Sequence, residues 1–141
     1  MIGILLVTHN SLGDSLVDGV RHVMGRVPPQ LKVLSVTADD APEKKEQEAC
    51  ALIADLDTGD GVLLLVDVFG ATPSNIVQRL CQPGKIVGIA GVNLPMLLRV
   101  VCYRDRSLSE IAQKALQGGR ECIVLMDRNG EFDDPARCAD N

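Results

Sequence analysis

Two polar loops carry the residue types best suited to chemistry in this chain. Thr8-His9-Asn10-Ser11 comes directly after the apolar run 2–7, and Asp67-Val68-Phe69-Gly70-Ala71-Thr72-Pro73-Ser74-Asn75 comes after a second apolar run that begins at Val62. An imidazole beside a carboxylate is a workable nucleophile. One ring nitrogen keeps its lone pair while the other donates its hydrogen to the carboxylate, which fixes the tautomer and stabilises positive charge on the ring. Such a pair suits His9 to accept a phosphoryl group, with Asp67 orienting it. The transferred group also needs donors aimed at its oxygens. Thr72 suits a helix cap and Pro73 a first helical residue, so the amides of Ser74 and Asn75 would open a helix and face an anion. Ser11, at the start of a helix after His9, offers the same kind of site. Thr72, Ser74, Asn75 and Ser11 are therefore the phosphate-binding candidates.

The same residues also have ordinary structural roles, and spacing alone leaves both readings open. A histidine after a strand is often a plain loop residue, an aspartate there a cap, and Thr-Pro a common helix start. His22 falls inside a helical stretch and receives no role. Other chemistries lack their machinery. There is no GxSxG elbow, no Gly-rich loop ending in Gly-Lys-Ser/Thr, and no GxGxxG after the first apolar run. His9 and Asp67 are too few ligands for a catalytic metal, so no metal and no cofactor is expected. A phospho-aspartate receiver would place acidic residues where Thr8-His9 stands, and a lysine where Met126-Asp127 stands.

The elements that must position these loops can be read from periodicity. Apolar runs at 2–7, 31–36, 62–68, 85–90 and 121–126 read as strands. Between them, 12–24, 42–56, 72–80, 94–102 and a stretch opening at Ser107 carry helical spacing. Ser107 with Glu110 three residues on forms a capping box. The alternation predicts a three-layer α/β/α domain over 1–128, with a mostly parallel central sheet of about five strands. If strands one and three are neighbours, in flavodoxin-like order, His9 and Asp67 meet at the carboxyl rim of the sheet, where ligands of such sheets collect. Residues 129–141 are polar and read as a C-terminal tail.

Composition narrows the partners. The 141 residues include only two Phe and one Tyr and carry a net charge of −5. The core is therefore aliphatic, and the chain is unsuited to nucleic acid or an anionic membrane surface. No basic-flanked leader and no membrane-length apolar stretch is present, so a cytoplasmic location is expected, peripheral to a membrane permease at most. Five cysteines without CxxC spacing read as reduced thiols.

Three stretches resemble the signatures of the mannose-type EIIA component of the bacterial phosphoenolpyruvate-dependent sugar phosphotransferase system (PTS). They are Ile4-Leu5-Leu6-Val7-Thr8-His9, Val66 through Asn75, and Gly91-Val92-Asn93-Leu94-Pro95-Met96-Leu97-Leu98, in that order. The last is the most specific, because general α/β design does not demand it. The resemblance implies a phosphotransferase in which His9 takes phosphate from the histidine of the carrier HPr and passes it to a IIB component or a regulatory target. The aspartate matching Asp67 would hold the ring, with the hydroxyl of Thr72 beside the phosphate. It also implies a homodimer whose last strand, 121–126, runs antiparallel and can be exchanged between subunits, and a loop at Asn93-Leu94-Pro95 near the site or the partner. Asn10 and Ala71 stand where the family often has Gly, and Arg99 where an acidic residue is common. Two alternatives share the architecture: a regulatory module read by its phosphorylation state, and the phosphotransferase subunit of a dihydroxyacetone kinase.

Overall fold

A computed structural model describes residues 1–128, and the expected tail at 129–141 lies outside the described residues. Four strands and five helices alternate along the chain: β1 (Gly3–His9), α1 (Leu12–Met24), β2 (Leu31–Val36), α2 (Pro42–Leu56), β3 (Val62–Val66), α3 (Thr72–Leu80), β4 (Ile86–Ala90), α4 (Leu94–Cys102) and α5 (Leu108–Glu121). The strands form one parallel sheet in the order β2-β1-β3-β4. β1 and β3 are the two central strands, and both are buried almost throughout because both of their faces are covered.

Alternate residues of these strands feed two separate cores. Ile4 and Leu6 of β1 with Leu63 and Leu65 of β3 pack under α1, α4 and α5. Leu5 and Val7 with Val62, Leu64 and Val66 pack against α2 and α3 on the other face. The three-layer architecture and the adjacency of β1 and β3 are as the sequence implies. With Val7 level with Val66, the residues just beyond, Thr8-His9 and Asp67, come together at the carboxyl end of the sheet.

The fifth strand is a correction. α5 runs to Glu121, and 123–127 lies outside any strand, although Ile123, Leu125 and Met126 are apolar and strongly exposed. The physical reason is pairing. A strand exists only beside another strand, and 123–126 has no such neighbour among the described residues; β4 is there an edge strand, paired with β3 and, apart from a bridge between Ile86 and Gln82, with no other strand. Among the cysteines of the described residues, Cys50, Cys81 and Cys102 are free. Cys122 is disulfide-bonded, which corrects the reading of five reduced thiols. No helix among the described residues is long and apolar enough to cross a membrane.

Arg104 fastens the amino end of the sheet. Its buried guanidinium donates to the carbonyls of Ile2, Gln30 and Pro29, and so ties the start of β1 to the start of β2. Burial pulls its pKa down to about 10. Arg99, equally buried between α4 and α5, has no acceptor for its Nε among the described residues. The absence of a side chain at Gly118 makes room for it: a Cβ there would lie 2.8 Å from the Arg99 Cβ.

Candidate active site at the sheet's carboxyl rim

His9 is the last residue of β1 rather than a loop residue, so a central strand fixes its backbone. Its ring Nδ1 lies 2.8 Å from Asp67 Oδ2, and its backbone N–H donates to the same oxygen at 2.9 Å. The other carboxylate oxygen accepts the Val68 N–H at 2.9 Å. An ionised carboxylate only accepts, so the hydrogen between the pair sits on Nδ1, and in the neutral imidazole the lone pair then lies on Nε2. The Asp67 side chain is 8% exposed while that of His9 is 42% exposed. The carboxylate is a buried anchor and the imidazole reaches solvent.

Burial alone would raise the Asp67 pKa. The hydrogen bonds from the His9 amide and ring, the attraction of that ring and the Val68 amide outweigh it, and the carboxyl is held below its ordinary value. The pair is therefore set up for an ionised Asp67 across neutral pH.

The phosphate candidates divide. Ala71, not Thr72, is the N-cap of α3, which places Thr72 and Pro73 in the first turn. The Asn75 amide is consumed by the first helical bond, to the Ala71 carbonyl at 3.0 Å, which corrects the expectation that it stands free. Pro73 has no N–H, so the amides of the turn left outside the helical ladder are those of Thr72 and Ser74. The Ser74 side chain is buried, and Asn75 is exposed. Ser11 is the N-cap of α1, yet its side chain makes no capping bond. The Gly13 N–H is taken instead by Thr8 Oγ1 at 2.9 Å. Sequence reasoning gives Thr8 no role, and only its hydroxyl inside an otherwise apolar strand hints at one.

Asn10, directly after His9, has φ +49, a left-handed conformation that Asn tolerates better than most residues with a side chain. That accounts for Asn at a place where Gly is usual in the family it resembles. Leu12, Val68 and Phe69 are exposed around the pair, Phe69 to 73%. A large cavity, about 790 Å³, lies at the opposite end of the sheet beside Met1, Asp60 and Ser107, away from this chemistry.

The Gly91–Leu98 stretch is a joint rather than a free loop. The amides of Gly91 and Val92 both donate to the Val66 carbonyl, one residue before Asp67. Asn93 caps α4 by accepting the Met96 N–H at 2.9 Å, and its amide group donates to the Gly119 carbonyl at 3.1 Å. The motif thus locks α4 and α5 to the strand that ends at the site.

The profile of a family described as "PTS system fructose IIA component" matches residues 3–117. The chain is 32% identical over 128 residues to the PTS system mannose-specific EIIAB component of Escherichia coli K12, covering 89% of this chain and 39% of that relative. It is 28% identical over 106 residues to the PTS system fructose-specific EIIA component of Bacillus subtilis 168, covering 74% and 72% of the two. In fold it is similar to the EIIA component of Streptococcus agalactiae (TM-score 0.80, 23% identity, 89% and 97% covered). It is equally similar to the mannose/sorbose-specific IIA subunit of Enterococcus faecalis (TM-score 0.80, 20% identity, 89% and 95% covered). On the extent of the family match and the identity to these relatives, the chain belongs to the mannose/fructose-type EIIA family of the sugar phosphotransferase system.

Proposed function

We propose that this protein is a phosphocarrier that takes a phosphoryl group from phospho-HPr onto Nε2 of His9 and hands it to a IIB component or a regulatory target. The 2.8 Å contact between His9 Nδ1 and buried Asp67 carries this reading. The Nε2 lone pair forms the new P–N bond as the donor's P–N bond breaks, and that electron pair returns to the donor imidazole. The ring of His9 then carries positive charge, which Asp67 stabilises through Nδ1–H. The amides of Thr72 and Ser74 at the opening of α3, and the Thr72 hydroxyl, support a role in holding the phosphoryl oxygens. Two histidines exchange the group at little cost in free energy, so positioning supplies most of the catalysis. The acidic chain with exposed Leu12, Val68 and Phe69 suits a partner whose active histidine has a basic rim and an apolar centre.

The working unit on this reading is a homodimer. The edge of β4 beyond its Ile86–Gln82 bridge and the exposed apolar residues at 123–126 support it, because each supplies what the other lacks. The test is incubation with phosphoenolpyruvate, enzyme I and HPr. Acid-labile, base-stable phosphate is expected on the wild type and none on His9→Ala; labelling that survives this substitution rejects the assignment.

A further inference from the structure

The two residues Asn10 and Ser11 bridge β1 and α1, and three hydrogen bonds pin that bridge and its two ends. The His9 amide donates to Asp67, the Asn10 amide to the Val36 carbonyl at 2.9 Å, and the Gly13 amide to Thr8 Oγ1. The first reaches the residue after β3 and the second the end of β2. The third is different in kind, because the residue just before His9 reaches forward over the nucleophile to hold the start of the next helix.

We infer that Thr8 is a positioning residue for His9: its buried hydroxyl closes the bridge and so keeps the imidazole against Asp67. The inference rests on His9 being the nucleophile. Thr8 is fully buried, and its contact with Gly13 is buried too, so water cannot replace it. It does the work that the nominal cap leaves undone, since Ser11 makes no side-chain capping bond. The joint is also tight. A Cβ on Gly13 would stand 2.6 Å from Thr8 Oγ1 and 2.7 Å from Val33 Cγ1, so the helix approaches this closely only because residue 13 is glycine. With the hydroxyl gone, the Gly13 N–H has no acceptor unless the bridge opens to solvent. Opening it loosens the Asn10-Ser11 turn that follows directly on His9, and with it the hold on the imidazole against Asp67.

The test compares Thr8→Val, which keeps the shape and removes the acceptor, with Thr8→Ser, which keeps the acceptor. Two readouts are taken on the intact protein: single-turnover transfer from saturating phospho-HPr, and the ¹⁵N shifts of the His9 ring, which report the tautomer. Thr8→Val is expected to transfer about tenfold or more slowly with KM for phospho-HPr changed less than about twofold, and to lose part of the Nδ1–H tautomer, while Thr8→Ser stays within about threefold of wild type. Ile111→Val, in the core under α5, serves as a matched loss of stability and is expected to leave both readouts unchanged. Should Thr8→Val not fold, Gly13→Ala forces the same joint apart and is read in the same way. Wild-type transfer and tautomer in Thr8→Val overturn the inference, and so does an equal slowing in Ile111→Val. A wild type that accepts no phosphoryl group overturns the proposed function instead, and the tautomer comparison then still decides the role of Thr8.

Discussion

Replacing Asp67 by Asn changes one atom's chemistry at nearly constant shape, and the hydrogen bonds around it fix the consequence. The carboxylate accepts three hydrogen bonds, two from His9 on Oδ2 and one from Val68 on Oδ1. An amide has one accepting oxygen. If that oxygen faces His9, the NH₂ group faces the Val68 N–H, donor against donor. If it faces Val68, the NH₂ group faces the His9 amide and ring, and Nδ1 must give up its hydrogen to Nε2, which destroys the nucleophile. Either arrangement forfeits a charge-assisted bond worth about 1.5–3 kcal/mol and the charge that stabilises phosphohistidine. At about 1.4 kcal/mol per tenfold, transfer slows by about 10- to 150-fold. Quench-flow measurement of transfer from ³²P-labelled phospho-HPr reads this directly, with circular dichroism to show that the fold survives. A rate for Asp67→Asn within about twofold of wild type would remove Asp67 from the mechanism, because it would then neither set the tautomer nor stabilise the charged ring.

Acid should act on the same contact. The Asp67 pKa is lowered in the folded state, so its contribution to stability is complete above the ordinary carboxyl value near about 4 and is lost as pH falls through the lower, folded value. Urea midpoints measured down that range should fall more steeply for wild type than for Asp67→Asn; parallel curves contradict the shift. The two buried arginines should respond in opposite ways to methionine. Nε lacks an acceptor in both, so the contrast lies in the rest of the group: Arg104→Met removes the donor to the carbonyls of Ile2, Pro29 and Gln30, of which Gln30 keeps the Ile4 amide, and should cost about 3 kcal/mol, whereas Arg99→Met removes a buried charge and should be neutral or stabilising in chemical denaturation. Equal losses from both would refute this contrast. Leu125→Asp, on the exposed segment after α5, should shift a dimer toward monomer in sedimentation velocity; a wild type that sediments as a monomer rejects the dimer.

Much of this arrangement is legible in the chain because the central strands are apolar on both faces. Such runs identify β1 and β3 as buried parallel strands, and the polar residues that end them, His9 and Asp67, then fall on the same rim. The helix start at Thr72-Pro73 is legible to within one residue. Which amide it leaves free is not, because moving the cap from Thr72 to Ala71 decides that Asn75 is already bonded. The role of Thr8 leaves no periodic signal, since a hydroxyl bonding five residues ahead across a strand–helix junction depends on tertiary geometry. Residues 121–126 mislead for the opposite reason: their apolar content suits a strand, but strand structure requires a neighbour that the described residues do not provide. The Asn93 motif is distinctive in the sequence, and only the structure shows it working as a clamp between α4 and α5.

On the proposed function, Asp67 holds Nδ1 of His9 so that Nε2 takes the phosphoryl group. Heteronuclear ¹H–¹⁵N–³¹P correlation on the phosphorylated protein measures this directly. The expected result is a ³¹P coupling to Nε2 of His9, with Nδ1 still bearing its hydrogen toward Asp67. Phosphate on Nδ1, or on any residue other than His9, would contradict it.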